Sequence, residues 1–213
     1  MPALRYLTRP TALTLATALF AACSDHSNPT SPSRVLTTVV VSFGSPTIEV
    51  GELTGATASG LDQRGSPIAI GAVNWNSDEP TIAAVNPTTG FIFAIAPGTT
   101  RISASVDGKV GFSAITVVRP AAIQIDDVRP AGTTDAGRIA LRNPTSAQVD
   151  LTGWTLVDNV FSMGYTFPAG SIIAPNGSME IDGATLPFRI DELDSILLFS
   201  RFGVLVDRRP TTL

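Results

Sequence analysis

One cysteine, Cys23, and one histidine, His26, are all that this 213-residue chain has of either. The first scarcity excludes an internal disulfide, so any folded part must stand on its hydrophobic core alone. Together the two leave no Cys/His set for a structural zinc ion. The lone histidine sits in a run of Ser, Asn, Pro and Asp, where nothing would hold it beside a serine and an acid, so a histidine-dependent triad is not expected. Charged residues make up only 15% of the chain, and no basic cluster occurs among them. Affinity for nucleic acid comes from Lys and Arg on phosphates, so a nucleic-acid partner is not expected. No glycine-rich phosphate loop precedes a helix pattern. No apolar run reaches the ~20 residues of a membrane-spanning helix.

What is abundant is glycine (18) and proline (16) beside 44% hydrophobic residues, a balance that suits turn-rich β domains. The N-terminus reads differently. Arg5 and Arg9 precede an uncharged stretch from Thr11 to Ala22, which ends in small residues before Cys23. A basic head, a short apolar middle and a small-residue cut site make a secretory leader over 1–22. Removing Arg5 and Arg9 from the 14 basic residues leaves 12 against 18 acidic ones, a balance of −6. Such a chain would not dock on anionic lipid through charge.

The run Leu19-Phe20-Ala21-Ala22-Cys23 resembles the lipobox of bacterial lipoproteins, with Phe20 where that family usually has Leu. The resemblance implies cleavage before Cys23 and lipid on its sulfur and new amino group. With Ser24 as the next residue, it also implies sorting toward an outer membrane. The competing reading is an ordinary secreted protein, cut for example after Ala16-Thr17-Ala18, with Cys23 left as a spare thiol. Residues 23–35 after the cut have almost nothing to bury and read as a flexible tether.

From Leu36 to Val118 the pattern is that of strands. Val39 and Val41 alternate with Thr38, Val40 and Ser42; Ile102, Ala104 and Val106 alternate with Arg101, Ser103 and Ser105. Turn signals separate the runs, and Asp107-Gly108 predicts a two-residue hairpin. Several stretches resemble the group 2 bacterial immunoglobulin-like domain of invasin- and intimin-type proteins. They are Ile48-Glu49-Val50-Gly51-Glu52, Val73-Asn74-Trp75-Asn76-Ser77 and Ala96-Pro97-Gly98-Thr99-Thr100, with a final Phe112–Val117 strand. Trp75 then reads as a core residue between sheets, or as a ligand-stacking ring.

Arg119-Pro120 marks a boundary, since proline ends strand pairing. The second unit, 122–213, opens with Ile123–Val128, read as an alternating strand. Its phrase Asn143-Pro144 followed by Val149-Asp150-Leu151-Thr152-Gly153-Trp154 resembles the lamin tail domain, an immunoglobulin-like sandwich. Arg138 and Ala140 stand where that family carries acids. A terminal hairpin is expected across Arg201-Phe202-Gly203, its last strand short.

The expected architecture is therefore all-β: two immunoglobulin-like β-sandwich domains in tandem after a signal peptide and tether. No catalytic residue, cofactor or metal ligand is assigned. The adjacent acids Asp126 and Asp127 should point to opposite faces of a strand. Asp191, Glu192 and Asp194 read as solvated loop charge, or as a weak calcium site. Phe161, Met163 and Tyr165 alternate around Gly164 and would cover a sheet edge or form an exposed aromatic strip, Phe161 and Tyr165 being the candidate binding residues. The expected role is a non-enzymatic, lipid-anchored envelope module for structure, adhesion or protein binding. The alternative is a carbohydrate-binding accessory to a secreted hydrolase, which an exposed Trp or Tyr platform would favour.

Overall fold

The computed structural model describes residues 32–159 and 163–211. Its strands build two separate hydrophobic cores along the chain. The only helical element among the described residues is the 3-10 turn Gly183–Thr185.

Nine strands make the first module: β1 (Leu36–Phe43), β2 (Thr47–Glu49), β3 (Leu53–Asp62), β4 (Pro67–Ile68), β5 (Asn74–Ser77), β6 (Ala83–Val85), β7 (Phe91–Ala94), β8 (Gly98–Val106) and β9 (Lys109–Val118). One sheet runs β1-β3-β7-β6 with β4 on the flank of β3, and the facing sheet runs β2-β9-β8-β5. Short β2 joins β9 in parallel; the other pairs are antiparallel. The expected alternations hold, with Val39, Val41, Ile102, Ala104 and Val106 buried. The β8–β9 turn is a two-residue hairpin with Val106 paired to Lys109. Asp107 and Gly108 take φ of 47° and 74°, as the primed turn demands.

Trp75 lies inside the sandwich, 6% exposed. Gly90 has φ +74°, and a Cβ there would sit 2.9 Å from the Trp75 ring. The turn before β7 and the tryptophan thus require the same glycine for two reasons, backbone conformation and space. At the β3–β4 turn, Asp62 accepts from Arg34 Nε at 2.7 Å and from the backbone N–H groups of Arg64 and Ser66. These bonds, led by the Arg34 contact, hold its carboxyl down at about 2.

The second module contains β10 (Gln124–Arg129), β11 (Arg138–Arg142), β12 (Val149–Asp150), β13 (Thr155–Asp158), β14 (Tyr165–Thr166), β15 (Ile172–Ile173), β16 (Ser178–Asp182), β17 (Ser195–Phe199) and β18 (Leu205–Pro210). Its sheets are β10-β11-β16, β14-β13-β17-β18 and the small pair β12-β15. Trp154, Phe167 and Phe188 supply the aromatic part of the core.

Asn143 is fully buried. Its amide donates to the carbonyls of Ala147 at 2.7 Å, Ala174 at 3.0 Å and Ile173 at 3.3 Å. Its oxygen accepts from the N–H and hydroxyl of Thr145. The Asn-Pro phrase is therefore a polar staple: one fully buried side chain has its own donors and acceptor satisfied by backbone and hydroxyl groups of two loops and so ties them together.

Two local expectations need correction. Strand β10 does not alternate throughout. Ile125 pairs with Leu141 and Asp127 with Ala140, so Asp126 is an extra, bulged residue. The bulge lets Ile125 and Val128 both face the core and leaves both acids off it. The last strand is not short: β18 runs to Pro210, with Ser195 opposite Pro210.

The modules meet where the β17–β18 hairpin tip approaches the segment after β2. Arg201 and Glu49 form an ion pair at 3.4 Å. Gly51 has φ +87°, and a Cβ there would come within 2.8 Å of the Phe202 carbonyl. That glycine, part of the Ile48–Glu52 phrase, is what allows the two modules to close on each other.

Candidate interaction surface

The outer face of the β1-β3-β7-β6 sheet is where the molecule departs most from an ordinary soluble surface. Strand β7 and the residue after it read Phe91-Ile92-Phe93-Ala94-Ile95. Ile92 and Ala94 are fully buried, so period-two geometry puts Phe91, Phe93 and Ile95 outside. They are 56%, 47% and 44% exposed, and Leu53 on the neighbouring strand is 63% exposed. The register places Leu53 opposite Phe93 and Gly55 opposite Phe91, which joins the four apolar side chains into one patch. The patch continues over Val40, Ser42 and Thr57, and the outward strand positions of this face carry no charge. The two hydroxyls Ser42 Oγ and Thr57 Oγ1 bond each other at 2.8 Å.

The opposite sheet differs. Phe112 is also exposed, but the Arg101 guanidinium lies 4.9 Å from its ring centre and pairs with Asp78 at 2.7 Å. That phenylalanine, with Val110 beside it, is as exposed as the rings of the first face, but charged and hydroxyl side chains stand next to it.

The second module presents a polar cleft of about 540 Å³ at the ends of β10, β11 and β16, lined by Arg129, Asp135, Arg138, Glu180 and Asp182. Arg138, at the start of the strand where the resemblance expects acids, is held by Asp127 at 3.4 Å and Glu180 at 3.3 Å. Arg129 pairs with Asp135. Both cations of the cleft are thus paired, and the acids around them outnumber them. Between the modules lies a smaller apolar cleft of about 310 Å³, walled by Val50, Pro97, Pro120 and Val204, with Arg119 on its lining.

The residues singled out in the sequence fall as follows. Cys23 and Phe161 lie outside the described residues. Tyr165 is half-buried, meeting Phe167 edge to face with ring centres 5.1 Å apart, and Met163 is exposed. Tyr165 thus packs on the core. Trp75 and Trp154 are both interior, so neither forms a stacking platform. Asp191 pairs with Arg189 at 3.0 Å, and Asp194 accepts the backbone N–H of Ser195. Among the described residues no three acids or metal-binding side chains gather as a ligand set. Asp150 binds the hydroxyl and N–H of Thr152, which lowers its carboxyl pKa.

The apolar face was not anticipated. Its trace in the sequence is the unbroken apolar run from Phe91 to Ile95. A half-exposed antiparallel strand should alternate apolar with polar residues; a run apolar in both phases leaves one phase uncovered unless something packs on it.

Residues 118–209 match the family model of the lamin tail domain, in agreement with the resemblance carried by Asn143-Pro144 and Trp154. Comparison with the curated proteins finds no match. Among solved structures, the chain is similar to domains 4 and 5 of the S-layer protein SbsC, with 27% identity over 40% of this chain and a TM-score of 0.34. The chain spans about half the length of that structure, 54%. Domains 5–6 of SbsC align over 84% of this chain and 97% of their own length, at 15% identity and a TM-score of 0.34. The Yersinia pseudotuberculosis adhesin InvE aligns over 84% of this chain and 60% of its own, at 12% identity and a TM-score of 0.32. The class defined by fold and family match is an all-β chain whose second half is lamin-tail-like and immunoglobulin-like.

Proposed function

We propose that this chain is a non-enzymatic cell-envelope lipoprotein that acts as a structural, adhesion or protein-binding module. The observation that carries the binding role is the uncharged apolar face of Leu53, Phe91, Phe93 and Ile95. A contiguous exposed patch of a few hundred Å² is the kind that marks an interaction site. The attachment rests on the sequence: Arg5 and Arg9, the apolar stretch to Ala22 and the lone Cys23. In this reading residues 36–118 are a group 2 bacterial immunoglobulin-like domain, and acyl chains on Cys23 hold both modules at the envelope, with the outer membrane as destination. One chain binds only marginally, at about 0.8 kcal/mol per buried CH₂, so stable attachment calls for more than one. Protein contact is favoured over sugar binding, because both tryptophans are interior and the hydroxyls on the apolar face already bond each other.

The test is fractionation of cells producing wild type or Cys23→Ala, with mass spectrometry of the N-terminal peptide. Wild type should sediment with membranes and carry lipid mass on Cys23, and the variant should be released. An unacylated wild type found in the soluble fraction overturns the proposal.

A further inference from the structure

The apolar face contains two glycines that the fold does not need. Gly55 lies inside β3 with no positive φ, and a Cβ built on it meets nothing within 4 Å. Gly44 follows β1 just past the last ladder pair, Phe43 with Ala56; it too faces open space and has no positive φ. Other glycines of this module differ: Gly90 is required against Trp75 and Gly111 against the Val39 carbonyl, while Gly71, in a loop outside the strands, also meets open space. A glycine within a strand weakens it, and one without an internal reason marks a place where another backbone or ligand comes close. Here it leaves a bare hollow beside Phe91, next to the ridge formed by the cross-strand pair Leu53 and Phe93.

From this juxtaposition we infer that the face is a self-association surface, and that the occupant of the hollow is the ridge of a second copy of this chain. The inference rests on the interaction role proposed for that face. A two-fold contact sets residue i against residue j of the other copy and brings groups near the axis against themselves, where a charge would meet its like; this face has no charge to place there. The same absence leaves nothing to select a charged foreign partner. A ridge lying beside a hollow is what a two-fold contact requires, because each copy then supplies both halves of the fit. The four apolar side chains expose roughly 400 Å² per copy, taking about 200 Å² for a whole large side chain. Two copies would bury less than the ~1,200 Å² of a stable interface, which defines a weak contact. Such a contact is populated where copies are crowded, as on a shared membrane surface.

The test uses the chain from residue 23 onward with Cys23→Ser, so that neither lipid nor disulfide joins copies, followed by sedimentation velocity across a wide concentration range. The weight-average mass should climb from that of one chain toward two as concentration enters the high-micromolar range. Raising the salt should preserve or strengthen association, because the acidic chains then repel each other less. Gly55→Thr, which enters open space in the monomer, should weaken association at least tenfold with an unchanged melting temperature. Phe93→Thr should weaken association as strongly, with some loss of melting temperature because the ring is half-buried, and a variant on the opposite sheet, Val110→Thr, should leave association unchanged. A chain that stays monomeric at the highest concentration, or a dimer indifferent to both Gly55→Thr and Phe93→Thr, overturns the inference. So does Phe93-dependent capture of a glycan or another protein by a strictly monomeric chain. Because no lipid is present, failure here leaves membrane attachment standing, and a soluble wild type in the fractionation leaves this result intact.

Discussion

The two modules spend their large side chains in opposite ways. The first packs thirteen buried residues into its core, four of them alanine and Trp75 the only aromatic. Of its four phenylalanines, Phe43 packs half-buried against that core, and Phe91, Phe93 and Phe112 are exposed. The second module's core cluster has sixteen residues, none of them alanine and three of them aromatic, and adds the Asn143 staple. A thin core with bulky residues on its surface is an inefficient way to stabilise a sandwich, since about 25 cal/mol per Å² of burial is forgone at each exposed ring. The difference teaches that the first module leaves most of its large rings at the surface, while the second gathers three of its rings inside.

The contrast is open to direct attack, because each core holds one of the two tryptophans and so reports its own unfolding. The largest effect should come from Trp75→Ala. With four alanines already in that core, the cavity has little to collapse around it, and the expected loss is about 3–5 kcal/mol. Circular dichroism should show the first module's transition fall well below the second's, followed at Trp154. If the variant melts like wild type, the thin-core description fails. Asn143→Ala should come next, at about 2–4 kcal/mol, since it removes every hydrogen bond of a fully buried side chain that ties two loops together. In a Trp75→Phe background, urea titration at the Trp154 fluorescence should record the loss. A shift under 1 kcal/mol would mean that water or relaxation replaces the staple. The smallest effect should be that of Asp62→Asn. The carboxyl, held at about 2 against an ordinary 3.8, contributes stability that is complete above the ordinary value and lost as pH falls through the folded one. Wild type should therefore exceed the variant in melting temperature at neutral pH, and the gap should shrink between about pH 4 and pH 2. A gap constant over that window would remove Asp62 from the acid sensitivity of the first module.

Much of the secondary structure could be read from periodicity. The alternation around Val39, Val41, Ile102 and Val106 names strands and their buried faces correctly, because a strand with one wet face has only one way to sort its side chains. The Asp107-Gly108 hairpin was equally legible, since few residue pairs accept positive φ twice in succession. Other features were opaque for physical reasons. Asp126 bulges because β11 opposes it with one residue fewer, a fact about the partner strand and not about the local pattern. Asn143-Pro144 stood out as a phrase, but its meaning depends on carbonyls from Ile173 and Ala174, thirty residues away. The candidate face escaped notice because Phe91-Ile92-Phe93 reads as strongly buried strand in either phase.

Composition, spacing and turn chemistry alone determined that this chain is all-β and free of internal disulfides, because those properties are local to each segment. Tertiary structure decided which phase of an apolar strand meets water, which glycines the fold requires and which it leaves bare, and how Gly51 lets the two modules touch. Each of these depends on what lies across a sheet or a junction, and neighbours in space are set by the whole fold, not by the order of residues along one strand.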